Sequence, residues 1–116
     1  MKAVKTIETI IYETTTKKKP FIEWQEKLTK KVESIVLVRL ARMRSGNFGD
    51  HKPVKRGNGI YELRIDFGPG YRIYFGKQGA TLVILLAGGD KGSQDRDIEK
   101  AKQYWSDFKE RKDGKK

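Results

Sequence analysis

The 116-residue chain has no cysteine. That excludes a disulfide framework and any thiolate zinc site. Long apolar runs are missing too. The longest, "ATLVILLAG" at 80–88, is too short for a membrane helix. The opening stretch "MKAVKTIETIIYETTT" holds only a few apolar residues before Tyr12 and Glu13, which is too little for a signal peptide or a span. No repeat or Pro-rich linker divides the chain, so one domain over 1–116 is expected, with 112–116 as a frayed tail. A soluble, cytoplasmic protein with no membrane partner fits these absences.

Positive charge is plentiful. Lysine and arginine number 26 against 15 aspartate and glutamate, a net of +11. Such a field attracts polyanions, with nucleic acid or the ribosome as the natural partner. An anionic membrane surface or an acidic protein is the alternative.

The apolar periodicity organises the chain. "TIETIIYET" at 6–14 has the β-branched and aromatic content of a strand. Pro20 suits the first position of a short helix running to Leu28. Thr29 suits the cap of a second helix, in which Val32, Ile35, Val36, Leu40 and Met43 recur at helical spacing and Gly46 marks the stop. Pro53–Arg56 reads as an edge strand. "ATLVILLAG" reads as a strand buried on both faces. Ser93 is expected to cap a final helix, acidic at its start and basic at its end. The predicted class is α+β: a single, antiparallel-dominated twisted sheet with an N-terminal helix pair and a C-terminal helix.

Residues 59–75, "GIYELRIDFGPGYRIYF", read as a hairpin. Side chains alternate along a strand, so Glu62, Arg64 and Asp66 share one face, as do Arg72 and Tyr74. A three-residue Gly68-Pro69-Gly70 loop pairs Phe67 with Tyr71. It then places both arginines on one side, with Asp66 opposite Arg72. Downstream, "GGDKGSQD" sets Lys91 just before the last helix, where free backbone N–H groups favour phosphate. Ion pairing within the hairpin would account for the arginines without a ligand. A phosphate site built from Arg64, Arg72 and Lys91 is the sharper expectation.

"YELRIDFGPGYRIYF" followed by "LLAGGDKGSQDRDIEKAKQYW" resembles the RelE/ParE superfamily of bacterial toxins. It is most similar to the HigB-type branch related to phage host-killing proteins, the addiction-module killer proteins. The resemblance implies a RelE-like domain and a toxin neutralised by a cognate antitoxin. RelE and HigB members cut mRNA in the ribosomal A site without metal or cofactor, whereas ParE members inhibit DNA gyrase. It also implies that Arg64, Arg72 and Lys91 bind and stabilise the scissile phosphate. The chain departs from the family pattern at Glu62, where RelE has a lysine. Near the C-terminus it offers Asp90, Gln94, Asp95 and Asp97 where relatives carry a tyrosine or histidine. Glu62 is thus a candidate base or a partner of Arg64. His51 is a candidate catalyst or an ordinary loop histidine, and Tyr74 a stacking residue or a sheet tyrosine.

A second basic set comprises Lys30, Lys31, Arg39, Arg42 and Arg44, with Lys52, Lys55 and Arg56 beyond. It is expected either to contact ribosomal RNA without reading sequence or to be a solvated helix face. Three functions stay open on sequence: a ribosome-dependent mRNA endonuclease, a ParE-like non-enzymatic gyrase inhibitor, and a non-toxic basic RNA-binding module.

Overall fold

The computed structural model describes residues 6–113. Of the expected frayed tail, 114–116 lie outside the described residues. In chain order the elements are β1 (Glu8–Ile11), α1 (Pro20–Glu26), α2 (Lys30–Arg44), β2 (His51–Pro53), β3 (Ile60–Ile65), β4 (Tyr71–Gln78) and β5 (Leu82–Asp90). A 3-10 turn, Lys91–Ser93, then leads into α3 (Gln94–Asp113).

The five strands form one sheet in the order β1-β5-β4-β3-β2. β1 runs parallel to β5, while the other three pairings are antiparallel. The single sheet is antiparallel-dominated as expected, and the one parallel pair makes it mixed. A parallel pair needs a long crossover, and everything between β1 and β5 supplies it.

Helices cover both faces. Phe21 of α1 and Val32, Val36, Leu40 and Met43 of α2 pack with Leu63, Ile73, Phe75 and Leu85 on one side. Ala101 and Trp105 of α3 pack with Ile60, Tyr74, Ile84 and Leu86 on the other. β5 lies between β1 and β4, and residues 83–87 are all buried. Its unbroken apolar run is what two covered faces require.

Local signals set the helix ends. Pro20 opens α1. The Thr29 hydroxyl accepts from the Val32 N–H at 3.3 Å at the start of α2. Gly46, at φ 99, ends it. The Gly46 and Asn47 N–H groups donate to the Met43 and Arg42 carbonyls, both at 2.9 Å, so a left-handed residue closes the last turn. At α3 the expected Ser93 cap is replaced by a reciprocal pair. The Asp90 carboxylate accepts from the Ser93 N–H, and the Ser93 hydroxyl faces the Asp90 N–H.

Each tryptophan sits over a glycine of the sheet. Trp24 lies against Gly88 and Trp105 against Gly76, and a Cβ at either glycine would fall inside the ring. Trp105 is further fixed by its indole N–H, which donates to the Asn58 carbonyl at 2.9 Å. Gly76→Ala should therefore destabilise the protein by about 1–3 kcal/mol through overpacking. Urea denaturation followed by tryptophan fluorescence measures this. An unchanged midpoint would show that Trp105 is not clamped to the sheet.

Candidate functional site

The hairpin register differs from the expected one by two residues. Ile65 pairs with Tyr71, Arg64 with Arg72 and Glu62 with Tyr74. Asp66 and Phe67 leave the ladder because the connection turns early. The Phe67 N–H donates to the Ile65 carbonyl at 3.1 Å, and the Gly70 N–H to the Phe67 carbonyl at 2.9 Å. Gly68 and Gly70 take the positive φ values the turn demands, 57 and 86. A shift of two residues keeps every side chain on its face. Glu62, Arg64, Arg72 and Tyr74 thus share a face as expected, but Asp66 is not opposite Arg72.

Two arginines stand directly opposite each other. Like charges in that position destabilise a sheet. Each is balanced by a carboxylate. Arg64 Nη2 donates to Asp50 Oδ1 at 3.2 Å, and both side chains are substantially exposed. Arg72 Nη1 pairs with Glu62 Oε2, and there the side chains are only 13% and 2% exposed. Gln94 of α3 donates its amide to the same Glu62 oxygen at 3.3 Å. The Nε atoms of both arginines are buried without a hydrogen-bond partner. A buried, unmatched donor is costly, so such groups call for an acceptor.

β5 carries Lys91 to this place through an irregularity. Phe75 pairs with Leu85, but Tyr74 pairs with Ala87, so one extra residue is accommodated. The bulge absorbs one residue of β5 and shifts the register that follows. It sets Gly89 beside Arg72 and Asp90 beside Tyr71. The Lys91 N–H then donates to the Gly70 carbonyl at 2.9 Å. Gly89 has no room for a side chain because Asp97 of α3 and Ser93 of the preceding turn press on it.

Arg64, Arg72 and Lys91 line one cavity of about 340 Å³, together with Asp50, Asp66 and Tyr71. Three cations face two carboxylates and a phenol. The predicted trio is therefore brought together. Asp50 and Tyr71 were not picked out from the sequence. Tyr71 sits within the "GYR" segment, whereas Asp50 is a loop residue that only the tertiary fold brings beside Arg64.

The other candidates are placed differently. Glu62 does not line this cavity; it is buried behind Arg72. Tyr74 is fully buried, so its ring is a core residue and has no face free for stacking. Its hydroxyl lacks a partner, and burial pushes it up to about 12. His51 pairs with Leu63, on the face away from the arginines, and its ring lies 5.2 Å from that of Phe48.

The second basic set is split by the sheet. Lys30, Lys31 and Arg42 are exposed on α2, with Lys31 Nζ 5.4 Å from the Phe67 ring. Lys52 and Lys55 border a groove beside α3. Arg56 is exposed in the turn after β2, at φ 57. Arg39 is engaged within the fold. Its guanidinium donates to the Arg64 carbonyl at 2.7 Å and the Phe48 carbonyl at 3.3 Å. Burial lowers its pKa.

Residues 23–106 match the family described as phage derived protein Gp49-like (DUF891). An uncharacterized protein of Haemophilus influenzae is 49% identical over 83 residues, which span 71% of this chain and 82% of that protein. The chain belongs to the phage-derived Gp49-like family. All the cavity-lining residues fall within the matched span.

The buried pair should show in stability. Glu62→Ala strands the Arg72 charge and should cost about 3–5 kcal/mol. Adding Arg72→Ala should recover much of that loss. Urea denaturation of the two variants and the parent tests this. Equal, small losses in both variants would show that the pair does not hold β3 to β4.

Proposed function

We propose that this protein is the toxin of a type II toxin–antitoxin system, a ribosome-dependent mRNA endonuclease of the RelE/HigB kind. The observation that carries this reading is the single cavity shared by Arg64, Arg72 and Lys91, with both arginine Nε donors unmatched. Membership of a phage-derived family supports it, given the resemblance to phage host-killing proteins. A cognate antitoxin and the ribosome are the implied partners.

In the proposed reaction the 2′-hydroxyl oxygen attacks the adjacent phosphorus in line. The bond from phosphorus to the 5′-oxygen breaks, leaving a 2′,3′-cyclic phosphate and a 5′-hydroxyl. One group takes the attacking proton and another protonates the leaving oxygen. Arg64 and Arg72 bind the non-bridging oxygens, since guanidinium is always charged and forks onto phosphate. An entering phosphate displaces Asp50 from Arg64 at little cost, because exposed ion pairs are worth only about 0–1 kcal/mol. Glu62, buried and paired with Arg72, positions that guanidinium and is not assigned the general-base role here proposed for groups at the cavity. The proton carriers at the cavity are Tyr71, Asp66, Asp50 and Lys91.

Lys91→Ala and Arg64→Ala remove exposed or part-exposed groups and should fold normally. Each should slow cleavage by about 100–1000-fold, the usual loss for a charge-stabilising donor. Arg72→Ala alone would leave Glu62 buried and unpaired, so Arg72→Ala with Glu62→Gln is the cleaner test of that arginine. Growth arrest after induction, with mapping of mRNA 5′ ends, is the measurement. Codon-phased cuts lost in all three variants are expected. Full growth arrest in the folded variants would overturn the site. Double-strand DNA breaks without mRNA cuts would point instead to a ParE-like gyrase inhibitor.

A further inference from the structure

A groove of about 570 Å³ runs between β2 and the start of α3, on the arginine face of the sheet. Val54 and Ile98 give it apolar walls, and Glu62 and Gln94 line it between them. Lys52 and Lys55 stand exposed at its rim, and neither is engaged in an ion pair among the described residues. Glu62 lies between the groove and the cavity. It borders the groove, while its carboxylate holds Arg72, which lines the cavity. One ion pair therefore separates the two spaces.

We infer that this groove is a second nucleotide subsite, holding a nucleotide that flanks the bound phosphate on one strand of RNA. The inference rests on the endonuclease reading. Four features fit a nucleotide better than a peptide or a second protein. Two unpaired ammonium groups suit a phosphate. Apolar walls suit a base face. The Gln94 amide and the Glu62 carboxylate suit a base edge; among the described residues both hydrogen bonds to that carboxylate fall on Oε2, which leaves Oε1 to accept from a base amino group. Lastly, the groove adjoins a cavity that already suits a phosphate. The strand must be single, because a paired base could not turn its edge toward Gln94. Lys52 and Lys55 thus contact the substrate itself, and the cations of α2 lie across the sheet from it.

The test is fluorescence anisotropy of a labelled single-stranded RNA hexamer, with NMR titration of inorganic phosphate in parallel. Lys52→Ala combined with Lys55→Ala should weaken the hexamer about tenfold, the equivalent of about 1.4 kcal/mol. It should also flatten the salt dependence by about 1.4 in log–log slope, or about 0.7 per lost single-strand phosphate contact. Its affinity for inorganic phosphate should be unchanged. Arg64→Ala should weaken phosphate and hexamer alike. Lys17→Ala with Lys18→Ala, which removes two exposed charges elsewhere, should change neither. If the hexamer depends on Arg64 but not on Lys52 and Lys55, the subsite is wrong and the endonuclease reading stands. An equal effect of all lysine pairs would reduce the groove to general charge and overturn the subsite. Hexamer binding that depends on neither Arg64 nor the lysines would overturn the subsite and the cavity together.

Discussion

The site depends on a buried charge pair. Arg72 sits opposite Arg64 on neighbouring strands, an arrangement that repels by itself. Glu62, one step diagonal on β3, neutralises Arg72 under the cover of α3, and Gln94 ties the same carboxylate to that helix. With Arg72 fixed, Arg64 needs only the exposed carboxylate of Asp50 to be tolerated. The outcome is two guanidinium groups held side by side, one firmly and one loosely. Burying a charge pair in this way is seldom the most stable solution open to a sheet. Its retention beside a cavity accords with a functional role.

Geometry around the pair delivers the third cation. The β5 bulge shifts the register of the strand end by one residue, and the Asp90–Ser93 pair fixes the turn that follows. Lys91 is then anchored by its own backbone to the hairpin loop. Trp24 and Trp105 clamp the sheet from its two faces at Gly88 and Gly76. The frame is therefore rigid where the cations are mounted, while the side chains of Lys91 and Arg64 remain open to solvent. Arg39 belongs to this frame as well, since it bonds the Arg64 carbonyl from α2.

Much of this was legible in the sequence. The period-two pattern gave the face shared by Arg64 and Arg72, and it survived an error in register because the error was two residues. The first helix carried its start signal in Pro20, and the second its cap in Thr29 and its stop in Gly46. The parallel pairing of β1 with β5 was not legible, because no local signal records which edge a first strand will join. Nor was the partner of Arg72. Sequence neighbours favoured Asp66, but the loop turns at Phe67 and places Glu62 within reach. Nothing local marks why positions 76 and 88 are glycine, because the reason at each is a tryptophan distant in sequence. The basic residues formed one set on paper, yet the sheet separates those of α2 from Lys52 and Lys55.

The most direct measurement is an NMR titration of the full chain with a short single-stranded RNA, following the arginine Nε–H signals. Both Nε groups are buried and unmatched in the free protein. The Arg64 and Arg72 signals should shift together, with the Lys91 amide, and reach saturation along one common binding curve. Two static arginine signals, while the RNA binds elsewhere on the surface, would contradict the account.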